Sequence, residues 1–243
     1  MDYINLEKTI LTFLKKELKK TPCSGFVVGI SGGLDSAVVS ALCSKVAKTT
    51  GYILYNKNFS EQNMSDAINH CDKFNIEVHK IEISSIVESY KNSLDLNNIH
   101  QISNLIARVR MTILYDRSFK TSSLVVGTSN FSERILGYGT IYGDLAYALN
   151  PIASLLKSEV FKLAKSLDIS PSIISKKPSA DFYEGQSDED EFGFSYDDID
   201  SVLEKLRKNG MKFNELQESE VLKFIKKRYE LNKFKLRMPK ILK

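Results

Sequence analysis

This sequence predicts an α/β fold: a parallel β-sheet with helices on both faces, followed by a helical C-terminal part. Three observations lead there. Over the first 127 residues, short β-branched runs alternate with longer amphipathic segments, the signature of right-handed βαβ units. A loop of small residues, GISGGLDS (29–36), joins the first such run to the segment after it. After residue 128 strand-like runs become scarce.

The elements follow in order. Residues 3–19 set Ile4, Ile10, Leu11, Phe13, Leu14 and Leu18 among lysines at helical spacing, with Asp2 placed to cap the helix. GFVVGI (25–30) reads as a buried strand and 36–48 as a helix. GYILY (51–55) is a second strand, 61–74 a helix, and IEVHKIEIS (76–84) a third strand. SSIVESYKN gives a short helix, 101–120 a long amphipathic one, and SLVVG (123–127) a fourth strand. A helix is expected at about 158–167, and Pro171 marks the start of another. SADFYEGQSDEDEFGFS (179–195) is acidic, lacks helical periodicity and reads as a mobile loop. DDIDSVLEKLRK and ESEVLKFIKKRYELNK are closing helices.

Composition narrows the class. Of 243 residues, 42% are hydrophobic and 26% charged, ordinary for a protein with a real core. No apolar run approaches the roughly 18 residues a membrane span needs, and MDYINLEKTI is too acidic for a signal peptide. Cys23, Cys43 and Cys71 form no CxxC pair, and with three scattered histidines they argue against zinc and for a reduced, cytoplasmic setting. A net charge of +4 does not by itself call for a polyanion partner. It is uneven, however: Lys223–Lys243 holds nine Lys/Arg and one Glu. Such a run is either a solvated basic face or an anion-binding tail.

The glycine loop carries the chemistry. Backbone N–H groups at a helix start are unpaired and attract anions, helped by the helix dipole. Gly32 and Gly33 let the backbone approach a phosphate, and Ser31 and Ser36 add hydroxyl donors. The loop matches neither GxxxxGK[ST] nor GxGxxG. An acid inside a phosphate cradle repels its ligand unless a cation lies between them. Asp35 therefore points to Mg²⁺, which takes carboxylate and phosphate oxygens together. The plainer reading is a glycine turn with Asp35 as a helix-capping acid.

SGGLDS after a buried strand resembles the pyrophosphate loop of the N-type ATP pyrophosphatases, which split ATP between its α- and β-phosphates. ARVRM (107–111), VVGTSNFSE (125–133), GYGTIYGDLAYALNPI (137–152), LLKSEVFKLAK (155–165) and KKPSADF (176–182) follow in order. Together they resemble the ammonia-dependent NAD synthetases along nearly the whole chain. The resemblance implies a Rossmann-like sheet of order 3-2-1-4-5 and a single domain over 1–243. Within it, the core would span about 20–170, a lid loop about 179–195 and C-terminal helices 196–243. It also implies a homodimer, with neither nucleic acid nor membrane as partner. The implied reaction, the last step of NAD biosynthesis, amidates deamido-NAD with ammonia through an adenylate and releases AMP and pyrophosphate. ATP is then co-substrate and Mg²⁺ the cofactor, and ammonia rather than glutamine is the nitrogen source.

Carried over residue by residue, Gly29, Ile30, Ser31, Gly32, Gly33, Leu34, Asp35, Ser36, Thr128, Lys157 and Ser179 would contact ATP, with Ser at 179 where the family usually has Thr. Asp35 and Glu133 would share Mg²⁺, although Glu133 alone would pass for a surface acid. Lys157 would neutralise charge on phosphorus, and Asp144 would hold or deprotonate the incoming ammonium. Arg108 matches a deamido-NAD contact. Three positions depart from the pattern: Ile141 and Ala148 replace a lysine and an aspartate, and Phe234-Lys235 replaces His-Lys. Deamido-NAD is anionic, so Arg108 and the tail cations Lys235 and Arg237 are expected to carry its recognition. The rivals are a GMP synthetase-like or tRNA-thiolating enzyme, for which the expected cysteine pairs or second motif are missing, and a non-catalytic adenine-nucleotide sensor, against which Asp35 and Glu133 argue.

Overall fold

The computed structural model describes residues 2–179, 187–237 and 242. Helix α1 (Tyr3–Lys19) opens on Asp2, whose carboxylate accepts the N–H groups of Ile4 at 3.0 Å and Asn5 at 3.3 Å. Strands β1 (Gly25–Gly29), β2 (Lys48–Tyr55), β3 (Glu77–Glu82) and β4 (Ser123–Val125) pair in parallel in the order β3-β2-β1-β4. Between them run α2 (Leu34–Ser44), α3 (Glu61–Lys73), α4 (Ser84–Leu94) and α5 (Ile99–Lys120).

Successive β1 side chains serve opposite faces, as the two-residue period of a strand requires. Phe26 and Val28 enter a core shared with Leu14 of α1, Val38 and Leu42 of α2, and Leu163 of α7 (Lys157–Ser166). Val27 enters a second core with Val87 of α4 and Ile106 and Val109 of α5. A third cluster joins α6 (Phe131–Leu136), α10 (Tyr196–Lys208) and α11 (Glu220–Asn232) through Leu136, Leu203 and Ile225.

Two expectations need correction. The fifth strand shrinks to a single parallel bridge, Val126 with Leu149, held by Gly127 N–H to Leu149 O at 2.8 Å and Ala148 N–H to Val125 O at 2.9 Å. Pro151 has no N–H to extend the ladder, and Asn150 Oδ1 accepts the Ile152 N–H, turning the chain away. The segment 179–195 is not wholly loop either. Asp188–Phe192 forms a short helix, α9, with Asp188 and Phe192 buried. Four acids in its first turn suit the positive end of a helix. The expected loop at 180–186 lies outside the described residues. Pro171 does open a helix, α8 (Pro171–Ile174).

Candidate active site

A cleft of about 710 Å³ opens at the C-terminal ends of β1 and β4, where open parallel sheets bind ligands. Its walls include Gly29, Ile30, Ser31, Gly33, Leu34, Asp35 and Ser36 of the glycine loop, then Thr128, Glu133, Asp144, Lys157, Ser179 and Lys235. The sequence's candidates therefore meet at one place, with three exceptions, Gly32, Arg108 and Arg237.

Helix α2 starts at Leu34 with Gly33 as its N-cap and no side chain closing its first N–H groups. Those donors stay available to an anion. The loop's hydroxyls hold its shape: Ser36 Oγ donates to Gly33 O at 3.0 Å, and Gly33 N–H donates to Ser31 Oγ at 3.2 Å.

Behind the loop lies a charged trio drawn from three helices. Lys157 Nζ donates to Asp35 Oδ2 at 2.5 Å and to Glu133 Oε1 at 3.3 Å, its side chain only 4% exposed. A lysine at the first position of α7 opposes the helix dipole, and the two carboxylates offset that cost. They hold the ammonium above its ordinary pKa despite its burial. Burial, with the charge of Asp35 beside it, pushes the Glu133 carboxyl up to about 8, a rise that Lys157 limits. Lys157 Nζ also lies 5.4 Å from the ring centre of Tyr196.

Asn130 sets the spacing of the acids. It caps α6, its Oδ1 accepting the Glu133 N–H at 3.0 Å, while Glu133 Oε2 accepts the Asn130 N–H at 3.3 Å. Its Nδ2 donates to Asp35 Oδ1 at 3.1 Å. Ser132, one residue before Glu133, accepts the Lys157 N–H at 3.0 Å and donates to buried Asp200. Each member of the trio is thus fixed from its own backbone or through its neighbour's.

A family model described as NAD synthase matches residues 6–239. The chain belongs to the NAD synthase family. It is 41% identical to the NH(3)-dependent NAD(+) synthetase of Campylobacter jejuni subsp. doylei, an alignment covering 100% of this chain and 99% of that one. Identity to the Helicobacter pylori (strain 26695) enzyme of the same description is also 41%, over 100% and 97%. Among solved structures, the NH3-dependent NAD synthetase of Campylobacter jejuni superposes with a TM-score of 0.86 at 37% identity, covering all of both chains. An NMN synthetase from Francisella tularensis superposes with a TM-score of 0.91 at 32% identity, over 100% and 99%.

In this NAD synthase chain several wall residues had not been singled out from sequence. Lys176, Asp188 and Arg110 are among them, and so, just behind the wall and touching Asp35, is Asn130. Only Asn130 left a local signal, the N-x-x-E of a capping box. Arg110 lines the cleft and donates from Nε to Leu54 O at 3.1 Å. Arg108, two positions earlier and so on another side of α5, is exposed and outside the cleft wall. Lys235 reaches the wall, but its ammonium is bonded to the carbonyls of Gly137 (2.9 Å) and Gly139 (3.0 Å). Asp144 accepts the Thr140 N–H at 2.8 Å. Of the departures from pattern, Ile141 is half-buried, Ala148 and Phe234 are exposed, and none lies in the wall.

Proposed function

We infer that this protein is an ammonia-dependent NAD synthetase, amidating deamido-NAD at the expense of ATP and releasing AMP and pyrophosphate. The observation that carries the reading is the meeting, at one cleft, of the uncapped start of α2 with Asp35, Glu133 and Lys157. A carboxylate does not react with ammonia. Transfer of AMP to its oxygen makes that oxygen a leaving group, and ammonia then attacks the acyl carbon. The chain's part is to position and to neutralise charge.

The N–H groups of Gly33 and the first turn of α2 would hold the departing pyrophosphate, helped by Ser31 and Ser36. Thr128 and Ser179 flank the same space. Asp35 and Glu133 suit Mg²⁺, because two carboxylates already share one cation, Lys157, and magnesium sites commonly join one or two carboxylates to phosphate oxygens. Bound there, Mg²⁺ would withdraw charge from the phosphates. Lys157 is charged, buried and adjacent, and would meet the developing charge on phosphorus. Asp144, which also lines the cleft, would hold the ammonium.

Arg108 is read through a homodimer. Ile86, Tyr90 and Leu94 form an exposed apolar row on α4 at four-residue spacing. On α5, Tyr115 and Phe119 follow Arg108 at seven and eleven residues, hence on its face, and Phe119 is 90% exposed. Apolar area of this kind marks an association surface. A second copy seated there would bring Arg108 to the partner's substrate. Among the described residues no helix is long and apolar enough to cross a membrane.

A second reading concerns the acid. The higher TM-score is to a protein described as an NMN synthetase, and Ile141, Ala148 and Phe234 stand where polar contacts to a dinucleotide were expected. Nicotinate mononucleotide would then be the better substrate. The test measures AMP and pyrophosphate formed with ammonium and ATP against each acid. Turnover higher with deamido-NAD supports the first reading, and turnover higher with the mononucleotide the second. Turnover only with tRNA or XMP would overturn both.

A further inference from the structure

Gly32 is the one loop residue turned away from the cleft, and a single side chain accounts for it. Lys176, in the segment leading to Ser179, donates from Nζ to Gly32 O at 3.0 Å, to Asn63 Oδ1 at 2.6 Å, and pairs with Asp66 Oδ2 at 2.7 Å. Asp66 is 5% exposed and also accepts Ser172 Oγ at 2.7 Å and Gln62 Nε2 at 3.1 Å. The ammonium is therefore the junction of three pieces: the glycine loop, the first two turns of α3, and the chain after α8.

The junction has a consequence for the cleft. Gly32 has φ +78°, and a Cβ there would lie 2.4 Å from Asn63 O, so the loop tip is pressed against α3. The Gly32–Gly33 peptide is trans. In a trans peptide the carbonyl and the following N–H point to opposite sides of one rigid plane. Holding Gly32 O toward Lys176 and α3 turns the Gly33 N–H the other way. There it meets Ser31 Oγ, and both Gly33 and Ser31 line the cleft while Gly32 does not.

We propose that Lys176 is a positioning residue: by gripping the Gly32 carbonyl, and anchored by Asp66, it holds the Gly33 N–H on the cleft side, where an anion can replace Ser31 Oγ as its acceptor. It acts on the phosphate through a backbone plane. The inference rests on the reading of this loop as a pyrophosphate grip.

The test uses the full chain and inorganic pyrophosphate with magnesium chloride as the probe. Lys176→Met removes the grip. Asp66→Asn keeps the side-chain volume and an acceptor for Ser172 but takes away the charge that anchors Lys176. Calorimetry should give pyrophosphate affinity lowered about 3- to 10-fold in each variant, the effect of one misdirected hydrogen bond. The Gly33 amide resonance of the ligand-free, folded protein should shift in both, and deamido-NAD affinity should hold. If Lys176 instead touched the anion directly, Asp66→Asn would free it and tighten pyrophosphate binding. That result, or an unmoved Gly33 resonance, overturns the proposal. A wild-type chain that binds no pyrophosphate would overturn the reading of the loop itself, and this inference with it.

Discussion

Replacing Lys157 by Met puts the charged trio to a quantitative test. Lys157 lies 2.5 Å from Asp35 and 3.3 Å from Glu133, and all three side chains are at least four-fifths buried. At an effective dielectric of about 20, a unit pair at the longer distance is worth about 5 kcal/mol before desolvation is charged against it. Removing one partner of such a pair costs about 3–5 kcal/mol, because it strands buried charge. The methionine fills most of the vacated volume, so electrostatics should dominate. Glu133, already pushed up to about 8, should then take up a proton to escape Asp35. Glu133→Gln imitates that protonated form. Introduced alone it should be nearly neutral, and in the Lys157→Met background it should recover about 1–2 kcal/mol by removing the repulsion. Urea unfolding of the four proteins at pH 9, where Glu133 is still ionised in the wild type, and without nucleotide, completes the cycle. The reasoning fails if Lys157→Met costs less than about 1 kcal/mol, or if the double variant is the less stable of the two.

Asp35→Asn should abolish most turnover in a chain that still folds, though with a lowered unfolding midpoint because it strands the Lys157 ammonium; near-normal turnover at ordinary magnesium would remove Asp35 from the metal site. Arg108→Ala should raise the Michaelis constant for deamido-NAD about 10- to 150-fold with that for ATP unchanged; loss of ATP binding instead would end its assignment. Ammonium salts should support NAD formation and glutamine alone should not, which a stopped assay on the purified chain decides. Buried His70 is held neutral, its pKa pushed down to about 4 by burial and by Lys73, and Ser40 Oγ lies 2.8 Å from its Nε2. Because the unfolded chain takes up that proton near pH 6.5 and the folded one only near 4, stability is full above pH 6.5 and falls as pH drops between the two. The loss should be about 2 kcal/mol from pH 8 to pH 5, and His70→Asn should lack it; equal acid sensitivity in both proteins would refute the assignment.

How much of this was legible in the sequence depends on whether the information was local. Asp2 as a cap, the strand–loop–helix at 25–44 and the start at Pro171 are each written in a few adjacent residues, and each is found. The fifth strand was expected from family order, but Asn150 and Pro151 spend the backbone on a turn. Helix α9 lacks a periodic apolar pattern, since five residues are too few to show one, and it is held by Phe192 against Tyr138 and Tyr196. At the site, the glycine loop was legible because strand, glycines and acid are contiguous. Lys176 was not, because its role depends on Gly32, Asn63 and Asp66, which only the fold brings to it. Arg110 was missed beside Arg108 because a two-residue step on a helix reverses the face, and the sequence does not say which face meets the sheet.

Asn130 holds the start of α6 with one end of its amide and Asp35 with the other. Helix starts ordinarily accept Ser, Thr, Asp or Asn almost interchangeably. Here the amide oxygen must face Glu133 N–H and the amide nitrogen must face a carboxylate, so the four alternatives reduce to one. Aspartate would keep the helix start and set a third negative group against Asp35. Serine would keep the start and reach nothing beyond it. The gap between the two acids is therefore gauged by the width of a single amide, and a change invisible to secondary structure would still mis-set it.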